Sequence, residues 1–247
     1  MIRREQRDGV AVLVLDRPER ANALAPELLA ALNEQLAQVQ RERLPLVLTG
    51  SGRAFCPGAD LKWLGTCGDP ALAVAELVAV HHAAISSLLD MPTPVIAAVN
   101  GSVAGGGLGL ALAADYRVAA HSATFTAAYF RLGLPPDGGA SAFLERTIGV
   151  TRAMELLLTN RTLASSEALA WGLVNEVVPD DALLEHAVSF ARGLHRVPSY
   201  TLLQTRRLLD MAYIRNQLQL ESVAIRIAAR GEDFRRALRE FLAQHPG

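Results

Sequence analysis

A mixed α/β fold that ends in a helical region is what this sequence predicts, on three observations. Short apolar or β-branched runs alternate with stretches of helical periodicity through the first two thirds of the chain. From Ala182 onward the helical period holds almost without interruption. The chain has 247 residues, 51% of them hydrophobic, which suffices for one large core.

Element by element, "GVAVLVLDRP" reads as a β-branched strand stopped by a turn. "APELLAALNEQLAQVQRE" has apolar residues at helical spacing, with Pro26 at the helix start, where its missing N–H costs nothing. "LPLVLTG" is a buried strand ending at Gly50, and "GSGRAFCPGADL" is a loop. A helix follows from Pro70 to Leu89, then the strand "TPVIAAVNG". "DYRVAAHSATFTA" gives two short strands. "GVTRAMELLLTN" and "SSEALAWGL" are short helices, the second with the Ser and Glu of a capping box, and "LVNEVVP" is a strand. Breaks in the final helical stretch are expected near Pro198, Tyr213 and Gly231. No internal repeat or low-complexity tract interrupts the pattern.

The formal net charge of −1 argues against a dedicated nucleic-acid binder. Cys56 and Cys67, in a loop-like stretch, form no CxxC pair, so a reduced, intracellular setting is expected. "MIRREQRDG" lacks the apolar core of a secretory signal. The uncharged stretch Met91–Ala114 is long enough to span a membrane, but Pro92, Pro94, Asn100 and five glycines fit a strand followed by a helix better. The expectation is a cytoplasmic protein that does not enter a membrane.

The chemistry starts at "NGSVAGGGLGLALAAD", residues 100–115. A phosphate loop would need Lys and a hydroxyl where Gly107 and Leu108 stand, and a dinucleotide fingerprint begun at Gly105 fails at Leu110. What is left is a glycine turn opening a helix, which aims free N–H groups and the positive dipole end at a ligand oxygen. Tight helix–strand packing explains such glycines equally well. "GRAFCPGADLKWL" is a second glycine turn between a strand and a helix, with an ordinary βα loop as its alternative. One N–H from each turn on a single oxygen would stabilise an enolate or tetrahedral oxyanion.

Together "DRPERANAL", "GRAFCPGADL", "PVIAAVNGSVAGGGLGLALAAD" and "AWGLVNEVVP" resemble the crotonase superfamily, the enoyl-CoA hydratase/isomerase group, from about residue 10 to 180. The resemblance implies a crotonase-like spiral of ββα units over residues 1–190 and a helical trimerisation region over 191–247. It implies acyl-CoA thioester substrates, coenzyme A being part of the substrate, with no separate cofactor and no metal, in a homotrimer or hexamer. The oxyanion donors would be the N–H groups of Ala59 and Gly106. Asn22, Ala23, Asp60, Leu61, Lys62, Gly105 and Gly109 fall along the acyl-CoA site, although Lys62 suits a solvated surface as well.

The acids separate the branches. At the two positions where hydratases of this group carry glutamates, this chain has Gly109 and the Ala128–Tyr129 pair, so hydration is doubtful. Asp137, in "LGLPPDGGAS", resembles the single acid of the enoyl-CoA isomerases, which moves a proton from one carbon to another two carbons away. Its alternative is a plain Pro-Asp-Gly turn. The 4-chlorobenzoyl-CoA dehalogenases use an aspartate there as a nucleophile, supported by a histidine matched by His82 and an aromatic residue at the position of Tyr129. A CoA-binding member without activity is a third possibility. His81, His121, His186, His195 and His245 are expected on solvated surface, and Cys56 as a small buried filler. Arg192, Arg206, Arg207, Arg226, Arg230, Arg235, Arg236 and Arg239 are expected mostly on solvated or intersubunit helix faces, with one or two in reach of CoA phosphates.

Overall fold

The computed structural model describes residues 1–209 and 211–245. The chain opens with a hairpin: β1 (Ile2–Arg7) pairs antiparallel with β2 (Val10–Leu15). β2 is buried along its whole length. β1 alternates charged and polar residues, as suits a sheet edge, so its apolar signal is weak and the sequence reading passed over it. The hairpin signal was nevertheless there. Asp8 and Gly9, both at positive φ, form the two-residue turn between the paired residues Arg7 and Val10.

Helix α1 (Pro26–Glu42) leads into β3 (Leu46–Gly50), β4 (Ala54–Cys56), α2 (Leu61–Thr66) and α3 (Pro70–Leu89). Next come β5 (Val95–Val99), β6 (Ser102–Ala104) and α4 (Gly106–Leu112). The third such unit is β7 (Tyr116–Ala120), β8 (Thr124–Thr126) and α5 (Ala140–Thr159). Each unit gives its first strand to one sheet and its second to another. The six-stranded sheet runs β1-β2-β3-β5-β7-β10 and the four-stranded sheet β4-β6-β8-β9, with β9 at Thr162–Ala164 and β10 at Glu176–Val178. Within the larger sheet all pairings beyond the hairpin are parallel. The chain therefore advances one strand per turn in both sheets, the spiral of ββα units that was expected.

Several local expectations are corrected. The loop 51–60 contains β4, so Cys56 ends a strand. The helix expected over "GVTRAMELLLTN" starts earlier, at Ala140, and kinks at Gly149, whose φ is 76°. Ser165, at the start of α6 (Ser165–Ala170), makes no capping bond; its hydroxyl donates to the His121 carbonyl instead. The C-terminal part holds α7 (Leu183–Gly193), α8 (Ser199–Leu208), α9 (Met211–Ala228) and α10 (Glu232–Gln244), so Tyr213 lies inside a helix rather than at a break. Arg206 is not on a solvated face: it pairs with Asp115 and donates to carbonyls of the 89–93 turn.

By length and composition α3 would qualify to cross a membrane, but half of it is buried inside this fold. It packs between α1 and α9 and carries two histidines to the heart of the molecule.

Candidate active site

The site is built on two touching turns. Gly105 turns the chain sharply (φ 49°, ψ −130°) into α4. Helix α4 then lies so close to β4 that a Cβ on Gly107 would be 2.1 Å from the Cys56 carbonyl oxygen, so only glycine fits. From the other side comes the 57–59 turn: a Cβ on Gly58 would lie 3.1 Å from the Gly106 nitrogen. A short parallel bridge between Leu24 and Ala59 holds that turn, with Leu24 N–H donating to Gly58 O and Asp60 N–H to Leu24 O, each at 2.8 Å. Among the described residues, neither the Ala59 nor the Gly106 N–H donates to a backbone carbonyl. Both residues line a cavity of about 490 Å³.

The cavity wall is largely apolar: Leu61, Leu64, Val74, Leu77 and Val78 from α2 and α3, with Leu132 and Leu134. Ile225 of α9 and Ala237, Phe241 and Gln244 of α10 also line it, so the C-terminal helices form part of the wall. Asp137 reaches into this space and is 8% exposed. Burial, reinforced by the nearby Glu221 carboxylate, pushes its carboxyl up from 3.8 to about 7, against a smaller opposing pull from the Tyr129 hydroxyl. That hydroxyl donates to the Asp137 backbone carbonyl at 2.9 Å. Desolvation, and after it the charges of Asp137 and Glu221, raise Tyr129 well above the usual tyrosine value, so it stays a neutral donor.

The turn that carries Asp137 is held at every step. His82 Nε2 accepts the Gly138 N–H at 3.0 Å, and Glu221 Oε2 accepts the Gly139 N–H at 2.7 Å. An acceptor Nε2 means a neutral ring, and burial lowers His82 from 6.5 to about 4. His82 is therefore bonded to the Asp137 turn and is not among the cavity-lining residues. His81, expected on solvated surface, is 2% exposed and lines the cavity. Its ring lies between the two halves of the site: a Cβ on Gly106 would be 3.2 Å from its Cε1, and one on Gly138 only 2.3 Å. Burial first, then the neighbouring His82, brings it down to about 3. Of the remaining histidines, His121 and His195 are exposed as expected; His245 is exposed but also lines the cavity and stacks on Phe241, and His186 is half-buried against Glu176.

Gly109 does not line the cavity. A Cβ there would stand 2.3 Å from the Gly138 carbonyl oxygen, so the Asp137 turn fills the space a side chain at 109 would need. Ala128 lines the cavity and offers no polar group. Of the residues expected along the acyl-CoA site, Ala59, Leu61, Gly105 and Gly106 face the cavity. Asn22, Ala23, Asp60 and Lys62 do not. Asn22 is fully buried and donates to the Ser51 and Ala54 carbonyls, while Asp60 caps α2 at the Trp63 N–H and pairs with Arg17. Cys56 is buried, and desolvation raises its thiol to about 12.

The sequence reading missed Glu221 altogether. It was detectable: Ile214, Leu218, Glu221 and Ile225 recur at helical spacing and all four are buried, so a carboxylate sits on the apolar stripe of α9.

With this geometry in view, the comparisons with known proteins are decisive. Residues 5–240 match the family described as enoyl-CoA hydratase/isomerase. The chain belongs to the enoyl-CoA hydratase/isomerase family. It is 38% identical to the 1,2-epoxyphenylacetyl-CoA isomerase of Escherichia coli (strain K12), over 96% of this chain and 93% of that protein. It is 36% identical to a 4-chlorobenzoyl coenzyme A dehalogenase of Arthrobacter sp, over 79% of this chain and 72% of that protein. A crystal structure of an enoyl-CoA hydratase from Bacillus halodurans shares the fold with a TM-score of 0.88 at 26% identity, covering 97% and 99% of the two chains. Membership in the enoyl-CoA hydratase/isomerase family makes this an acyl-CoA enzyme. The three relatives bear names for three different reactions, so the reaction must be argued from the side chains.

Proposed function

We propose that this enzyme is an enoyl-CoA isomerase that shifts a double bond from the 3- to the 2-position of an acyl-CoA thioester. The observation that carries this reading is Asp137, among the described residues the one buried carboxylate on the cavity wall (Glu240, also on the wall, is exposed), with the space beside Gly109 taken up by the Asp137 turn itself. The N–H groups of Ala59 and Gly106 hold the thioester oxygen. Asp137, ionised, removes the proton from the carbon next to the carbonyl, and the negative charge passes to the held oxygen. The same carboxyl then returns the proton two carbons further along, and Asp137 is again ionised. A single oxyanion donor contributes roughly 3 kcal/mol to such a step. One acid suffices here, because no water has to be activated.

Replacement Asp137→Asn tests it. Conversion of a 3-enoyl-CoA should fall by about 10²–10⁴-fold while CoA-ester binding persists, and full retained turnover would overturn the reading. A nucleophilic role for Asp137, as in the dehalogenase named above, predicts instead that label from heavy-oxygen water enters the Asp137 carboxyl. Acyl-CoA binding with no α-proton exchange over a broad thioester panel would point to a member without activity.

The reading extends to assembly. Val150, Met154 and Leu158 form an exposed apolar stripe on α5, and Leu220, Val223 and Ile227 another on α9, which packs against α5. These stripes support self-association into a trimer, or a hexamer made of two. The two unpaired cysteines, Cys56 and Cys67, support a cytoplasmic setting.

A further inference from the structure

We infer that Glu221, on helix α9, is a positioning residue for Asp137: it holds the turn that carries the acid and disfavours a second negative charge beside it. The inference rests on the reading of Asp137 as the base. Glu221 is 5% exposed and its carboxylate is fully engaged with the first turn of α5. Oε2 accepts the Gly139 N–H at 2.7 Å, and Oε1 accepts both the Ser141 N–H at 3.0 Å and the Ser141 hydroxyl. All three bonds end within four residues of Asp137, at a helix start where free N–H groups and the dipole favour an anion.

Burial pushes the Glu221 carboxyl above its ordinary value, and the bonds it accepts from Ser141 and Gly139 oppose that rise and favour the anion. The titratable groups facing the pair are few. Tyr129 is a neutral donor bonded to the Asp137 carbonyl, and His82 lies 3.9 Å from Glu221 Oε2 with its own Nε2 occupied by the Gly138 N–H. His81 packs against Gly138 as a buried ring. No arginine or lysine pairs with either carboxylate among the described residues, so no side-chain cation cancels the effect of Glu221 on Asp137. The Coulomb effect has the expected direction: Glu221 is the second-largest cause of the upward shift at Asp137, after burial.

The geometry also assigns a role to the C-terminal helices. The acid that reacts is mounted on the ββα core, and the acid that conditions it arrives on α9.

The test compares wild type, Glu221→Gln and Ser141→Ala. Two readouts are taken: the pH profile of kcat/KM for a 3-enoyl-CoA, and the titration of the Asp137 carboxyl by carbon NMR in the free enzyme. Glu221→Gln should move both the rising limb and the carboxyl titration to lower pH, by about one unit, with kcat reduced about tenfold and KM changed little. Ser141→Ala removes one bond but no charge, so it should leave the limb in place; it also supplies a folded variant should Glu221→Gln be poorly stable. Should neither the limb nor the carboxyl titration move in Glu221→Gln, the inference is overturned. Unaffected turnover in Asp137→Asn would overturn the base reading instead, and the NMR titration would still report whether Glu221 acts on Asp137.

Discussion

In the proposed reaction burial is what suits Asp137 to act as the base: a carboxyl near 7 is half ionised at neutral pH and binds a proton far more readily than one in water. Gly109 makes that burial possible, because the Gly138 carbonyl occupies the place of its missing side chain. Gly109→Ala should therefore displace the Asp137 turn. Steady-state kinetics with a 3-enoyl-CoA should show kcat lowered by about 10²-fold, the cost of misplacing a catalytic group by roughly 1 Å. Wild-type kcat in that variant would mean the turn can yield without loss. At this scale the sequence was informative about Asp137 and, through the apolar stripe of α9, about the burial of Glu221, but not about what Glu221 holds. The turn's partners, His82 and Glu221, lie far from Asp137 in the chain, and a long-range hydrogen bond leaves no local pattern.

Helix α3 shows how an element serves both the core and the site. Its buried stripe runs through Val74, Leu77, His81, Ile85 and Leu88, so His81 was legible as a buried histidine had the stripe been followed through it. His82, one step round the helix, holds the Gly138 N–H only as a neutral ring. The sign of its pH effect follows. The unfolded chain takes up a proton at about 6.5 while the folded one resists until about 4, so His82 costs stability as pH falls through that window. His82→Gln keeps an acceptor and removes the titration. Denaturant unfolding should show wild type losing stability relative to the variant by roughly 1.4 kcal/mol per pH unit between about 6.5 and 4. Parallel pH dependences would rule out His82 as the source. Legibility at the element scale depended on burial pattern and length. Strands such as β2, β3 and β5, buried on both faces, announce themselves, whereas β4, β6 and β9 have three residues each and were hidden among turns. With β8 those short strands form the second sheet, and it is β4 and β6 that bring the two glycine turns together.

Across the whole molecule, one helix joins the proposed assembly to the proposed chemistry. Helix α9 buries Glu221 against the Asp137 turn on one face and presents Leu220, Val223 and Ile227 to solvent on the other. The α5 stripe beside it should act in the same interface. Leu158→Glu, at a position 63% exposed, should leave the fold intact and reduce the mass measured by light scattering from trimer or hexamer towards monomer. An unchanged mass would place the interface elsewhere.

The central claim, one carboxylate moving one proton under an oxyanion held by two backbone N–H groups, is tested most directly by deuterium exchange. Wild type incubated with a saturated acyl-CoA in heavy water should exchange the hydrogens next to the thioester carbonyl. That rate should rise with pH along a limb centred near 7, where Asp137 ionises. Asp137→Asn should bind the same thioester and exchange nothing above background. Exchange in Asp137→Asn at the wild-type rate, or none in the wild type, would contradict the account.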